Sequence, residues 1–148
     1  KLQIYNFIIL GDGYLFDKAK NFLKDRKIKN VYLLGKKTDV FKYLYESDLF
    51  LSTSLYEGHP ISILEAMSVG LPIVASKVIG NIDTIRDNFS GLFYQLGDIN
   101  EATYHIERIM QDIDLRLKIS MNSFLTHREI FTTNKMKNSY ISLYNRYK

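Results

Sequence analysis

Residues 49–76 constrain this chain more than any other stretch. Leu49-Phe50-Leu51 is a short apolar run with the character of a buried strand. A polar loop follows, and then Ile61 to Met67, where Ile63, Leu64 and Met67 can share one buried stripe of a helix. Gly70-Leu71-Pro72 stops that helix, and Ile73-Val74-Ala75 begins another strand. Strand, loop, helix and strand make a βαβ unit, which commits the chain to parallel pairing. Pro60 suits the first helical turn, where its missing N–H has no partner to lose.

The loop and helix of this unit carry two carboxylates. Glu57 stands in the loop at the carboxyl end of the first strand, and Glu65 lies inside the helix with Ser62 three residues before it. The helix start offers unbonded N–H groups and a positive dipole end, which suits an anion such as a diphosphate. A carboxylate farther along the helix can accept hydrogen bonds from a diol such as a ribose.

Elsewhere strands alternate with helices. Ile4–Leu10 reads as a strand ending at Gly11-Asp12-Gly13, followed by a helix with Leu15, Ala19, Phe22 and Leu23 on one side. Phe16 stands where a dinucleotide fingerprint needs its third glycine, so Gly11 and Gly13 read as a tight turn. Val31–Leu34 is a second strand, closed by Gly35-Lys36-Lys37, and Thr38 is the expected cap of a short helix. Asp48–Ser52, Ile73–Ser76 and Gly91–Tyr94 complete five strands. Asp98 with Glu101 resembles a capping box opening a helix with Ala102, Ile106, Ile109 and Met110. Two further helices carry stripes of Ile113, Leu117, Met121 and Phe124, then Met136, Tyr140, Leu143, Tyr144 and Tyr147, all expected as packing faces.

Apolar strands alternating with helices predict an α/β fold, a Rossmann-like parallel sheet flanked by helices, with extra C-terminal helices. Ligands of such sheets bind outside the carboxyl ends of the strands. Gly11–Gly13, Gly35–Lys37, Ser54–Ile61 and Val78–Asn81 all fall at those ends. The 148 residues leave room for one domain with a full core. The absence of cysteine excludes disulfides and thiolate metal sites and fits the cytosol. No run reaches the roughly 18 apolar residues of a membrane span, and no signal-peptide pattern opens the sequence. A net charge of +4 without a nucleic-acid module gives no nucleic-acid partner. His105 and His127 fall on helices without metal-ligand spacing.

The segment Ser-Leu-Tyr-Glu-Gly-His-Pro from Ser54, with Leu64-Glu65-Ala66-Met67 and Gly70-Leu71-Pro72-Ile73-Val74, resembles the E-x7-E signature of family-4 retaining glycosyltransferases of the GT-B fold. Gly80-Asn81-Ile82-Asp83 resembles the family's glycine-rich turn, with Asn81 in place of its second glycine. The resemblance covers residues 4 to 113 and implies the C-terminal, donor-binding half of such an enzyme. By the same resemblance Glu57 contacts the donor sugar and Glu65 the nucleotide ribose. Gly58, His59, Pro60, Ile61 and Ser62 surround the diphosphate, and Gly11, Gly13, Gly35, Lys36 and Lys37 approach the base and phosphate.

The resemblance further implies a metal-independent hexosyltransferase with no cofactor beyond its donor, a UDP- or GDP-sugar. The acceptor is a saccharide or lipid-linked saccharide taken by an N-terminal domain, in cell-surface polysaccharide synthesis. Peripheral membrane contact through the full-length protein, at the cytoplasmic face, is a further option. The first residue is Lys1, so residues 1–148 read as one nucleotide-sugar-binding domain of a longer protein. The family's first strand of this half, with its Gly-Arg…Lys segment, is not in the sequence. Losing those two cations should weaken donor binding by several kcal/mol, at about 1.5–3 each, and this stretch alone is expected to be inactive. That strand belongs at the middle of the sheet, so the sheet must close the gap, borrow a strand or rest on other residues. Two rivals remain open: a GT-B sugar-nucleotide epimerase, and a non-enzymatic α/β module binding a nucleotide or a partner.

Overall fold

A computed structural model describes residues 2–147, as two compact units that divide at residues 43 and 44. In the first unit β1 (Phe7–Ile9) and β2 (Val31–Leu33) form a two-stranded parallel sheet, with α1 (Phe16–Asp25) between them in sequence. The register pairs Phe7 with Val31 and Ile9 with Leu33. The strand starts at Phe7 and not at Ile4, after a 3-10 turn, Leu2–Ile4, and a bend at Tyr5. Asn30 explains why: its Nδ2 donates to the carbonyls of Leu2 and Tyr5 and holds that segment in a turn. No residue of this unit is fully buried among those described.

The second unit contains β3 (Phe50–Ser52), β4 (Ile73–Ser76) and β5 (Leu92–Tyr94) in a parallel sheet of order β3-β4-β5. Its helices are α3 (Ile61–Ser68), α4 (Ile79–Thr84), α5 (Ile99–Gln111), α6 (Ile113–Thr126) and α7 (Thr133–Asn145), and the unit boundary falls inside α2 (Phe41–Tyr45). β4 is the middle strand and all four of its residues are buried, as expected of a parallel strand covered on both faces. Ile63, Leu64, Ala66 and Met67 of α3 pack with Ile73, Ala75, Ile85 and Phe93 into one core. Gly70 ends α3 with a positive φ of 79°, and Leu71 N–H donates back to the Ala66 carbonyl, a left-handed helix stop.

Several expectations need correction. The parallel, helix-flanked class holds, but the strands form two sheets, β1-β2 and β3-β4-β5, one in each unit. Pro60 precedes α3 instead of opening it, and its carbonyl accepts from the N–H groups of Ile63 and Leu64. Asp39, not Thr38, accepts the N–H of Lys42 at the start of α2. Asp98 caps α5 as expected, but Glu101 turns away and accepts the Gln95 N–H. α6 buries Ile119, Ser123 and Thr126, whereas Ile113, Leu117 and Met121 are exposed. Ile113, Leu117 and Met121 therefore do not mark its packed face. A π-helical turn, His127–Phe131, follows α6. The stripe of α7 is exposed throughout, from Met136 to Tyr147, so it packs no core here.

Candidate functional site

The loop from Thr53 to Pro60 joins β3 to α3 and carries Glu57. Four hydrogen bonds shape it. Tyr94 Oη donates to the Ser52 carbonyl at 3.1 Å, and Ser76 Oγ donates to the Ser54 carbonyl at 2.7 Å. Ser54 Oγ donates to Glu57 Oε1 at 2.7 Å, and Gly80 N–H donates to the Glu57 carbonyl at 3.2 Å. A charge-assisted bond of this length holds one carboxylate oxygen and leaves the other with unused acceptor capacity. Glu57 itself is half-buried.

Behind the loop the polar groups are fully enclosed. Asn81 Nδ2 donates to the Ser76 carbonyl at 2.9 Å, with its Oγ at 3.5 Å. Burial pushes the Tyr94 phenol above its ordinary value, opposed by a hydrogen bond with Ser76. Sequence reasoning missed Ser76 and Tyr94 altogether, and saw Asn81 only as an irregularity. The available signal was a serine closing an otherwise apolar strand, followed five residues later by an amide.

Past the loop, the buried ring of Pro60 anchors the start of α3. Ile61 and Ser62 stand exposed in its first turn, where their N–H groups have no acceptor within the helix. Glu65 lies one turn farther and is half-buried, its helix backed by Ser68 Oγ donating to the Glu65 carbonyl. Gly58 and His59 are exposed, and the His59 ring lies 6.2 Å from that of Phe131. The second unit thus brings together, along one loop and one helix, every residue expected between Glu57 and Glu65.

In the first unit Gly11 and Gly35 meet. Gly11 N–H donates to the Gly35 carbonyl at 2.9 Å, and both have positive φ, 139° and 68°. Only glycine takes such values freely. Gly13 accepts the Phe16 N–H at the start of α1, and Lys36 and Lys37 are exposed. A hollow of about 310 Å³ in this unit is lined by Phe16, Lys20, Leu23 and Val31 to Leu34. It contains none of the expected site residues.

The remaining histidines stand apart from this loop in sequence. His105 is mostly buried on α5 with Nε2 3.9 Å from Glu101, and desolvation lowers the pKa of His127 below its ordinary value. No helix of the described residues is long and apolar enough to cross a membrane.

Comparison with known proteins agrees with this architecture. The chain is 34% identical over 142 residues to the UDP-Gal:alpha-D-GlcNAc-diphosphoundecaprenol alpha-1,3-galactosyltransferase of Escherichia coli, covering 93% of this chain and 37% of that protein. It is 30% identical over 141 residues to the poly(ribitol-phosphate) alpha-N-acetylglucosaminyltransferase of Staphylococcus aureus (strain COL), covering 94% and 29%. A mutant of S. aureus TarM, solved with fondaparinux, alpha-GlcNAc-glycerol and UDP, superposes with a TM-score of 0.87 at 30% identity, over 95% of this chain and 29% of that one. The chain therefore spans about a third of the length of these relatives. Parallel sheets flanked by helices are the architecture of the GT-B glycosyltransferases it resembles. The family model for glycosyl transferases group 1 matches residues 1–125, and the chain belongs to that family.

Proposed function

We propose that this chain is the donor-binding part of a longer, two-domain glycosyltransferase that moves a sugar from a nucleoside-diphosphate sugar to an acceptor. The observation that carries this reading is the ordered step from Glu57 to α3. A half-buried carboxylate is held by Ser54, unbonded N–H groups at Ile61 and Ser62 come next, and Glu65 follows a turn later. In this reading the loop and first turn from Gly58 to Ser62 take the diphosphate. The N–H groups of Gly58, His59, Ile61 and Ser62 and the helix dipole offset the charge that grows on the leaving nucleotide, without metal. Glu65 accepts the ribose hydroxyls, and the unused oxygen of Glu57 accepts a hydroxyl of the donor sugar. Gly11, Gly13, Gly35, Lys36 and Lys37 of the first unit keep the role of contacting base and phosphate.

A UDP-sugar is the leading donor, since relatives are named for UDP-Gal and solved with UDP. The reaction class is hexosyl transfer with retention, following the resemblance of the Glu57–Glu65 segment. A relative named for a diphosphoundecaprenol substrate supports a lipid-linked acceptor, reached by the full-length protein at the cytoplasmic membrane face. The test is calorimetric titration of the full-length protein with UDP and GDP. UDP should bind, and Glu65→Ala should weaken it by about tenfold or more, the loss of charged hydrogen bonds. Failure of both nucleotides to bind at millimolar concentration would end this reading.

A further inference from the structure

Glu57 is shaped from behind by residues to which the reading above gives no role. Gly80 is buried in α4 with an ordinary φ, so backbone freedom does not explain a glycine there. Close approach does. A Cβ at this position would lie 2.6 Å from the Glu57 carbonyl oxygen and 2.7 Å from both the Glu57 carbonyl carbon and the Gly58 oxygen. All three atoms are backbone, so no side chain could swing aside to relieve the clash. At the same place Gly80 N–H donates to the Glu57 carbonyl. Four residues earlier in the chain, Ser76 Oγ donates to the Ser54 carbonyl. Asn81 braces that serine and is itself completely buried, with its Oδ1 unpartnered.

We infer that Gly80, Ser76 and Asn81 are positioning residues that hold Glu57 in place for the donor sugar. The Glu57 backbone is pinned on one side by Gly80, and the Ser54 that orients its carboxylate is pinned on the other by Ser76. An amide at position 81 does what a second glycine of the turn cannot: it ties the end of β4, and with it Ser76, to α4. The inference rests on the donor role proposed for Glu57, and it assigns the placement of that carboxylate to the β4–α4 junction.

The experiment compares Gly80→Ala and Ser76→Ala with Gly91→Ala in the full-length protein. A Cβ at Gly91 would lie 2.8 Å from Ile85 Cγ2 and 3.0 Å from the Ile73 carbonyl, a similar intrusion that meets neither Glu57 nor Gly58. Calorimetry uses UDP-galactose as probe, and hydrogen exchange follows the Tyr56 to His59 amides. Gly80→Ala should weaken UDP-galactose by about tenfold or more and speed exchange across Tyr56–His59. Ser76→Ala should do the same to a smaller degree. Gly91→Ala should lower the melting temperature while leaving affinity and that exchange at the parental level. Parental exchange at Tyr56–His59 in both Gly80→Ala and Ser76→Ala overturns the inference, as does an equal loss of affinity in Gly91→Ala. If Glu57→Gln keeps parental affinity, the donor role of Glu57 fails, while the exchange data still decide whether these residues position the loop. If the parent does not bind UDP-galactose, the exchange data alone decide.

Discussion

The two units of this chain are written in the same style and buried to very different degrees. Ile8 and Ile9 of β1 are 50% and 49% exposed, while Ile73 and Val74 of β4 are both at 0%. Both strands are apolar runs in parallel pairs, so composition does not separate them. Neighbours do. β4 has a strand on each side and is covered by α3, α5 and α6, whereas β1 has one partner and leaves its apolar side chains in the open. A strand sequence states what can be buried; the number of layers around it decides what is. The second unit has a core of its own, and the expected site from Glu57 to Glu65 is built on it.

The contrast can be broken most directly in the two sheets. Ile73→Ala should destabilise the second unit by about 2–5 kcal/mol, the usual cost of emptying a packed site. Ile9→Ala should cost under about 1 kcal/mol, since half its surface already meets water. Urea unfolding measures both, and equal costs would erase the distinction. Helix capping gives a smaller difference. The Asp98 side chain accepts the Glu101 N–H at 2.9 Å, whereas α1 has no side-chain cap at its N-terminus. Asp98→Ala should therefore cost about 1 kcal/mol. Tyr94→Phe removes the bond to Ser52 and should cost about 0.5–1.5 kcal/mol in the same assay.

The smallest effect is in pH. Burial lowers the pKa of His127, so the unfolded chain takes up its proton more readily than the folded one. Its contribution is present above the unfolded pKa and is lost as pH falls through the lower, folded pKa. Thermal melts from about pH 7 down to about pH 5 should show a modest loss of stability that His127→Gln reduces.

Much of this architecture was legible in the residues themselves. The alternation of strand and helix and the helix stop at Gly70 depend on local chemistry, and both are found, with Glu57 in the loop after β3 and Glu65 in α3. What lay beyond reach depends on contacts between distant residues. That Ser76 meets Ser54, 22 residues away, is a property of the paired strands. The glycine at position 80 was legible as a glycine, but not the carbonyl against which it lies. Periodicity also misled on α6, where Ile113, Leu117 and Met121 face water while Ile119, Ser123 and Thr126 are buried.

The strand pairing carries a consequence for handling this molecule. β1 bonds only to β2, and β3 only to β4, among the described residues. Each therefore leaves one edge without a strand partner, although the Ser52 carbonyl of β3 accepts from Tyr94 Oη. Such edges recruit extended chain from any source, including a second molecule. Produced by itself at high concentration, this stretch should self-associate, and its solubility should improve when an additional strand is supplied.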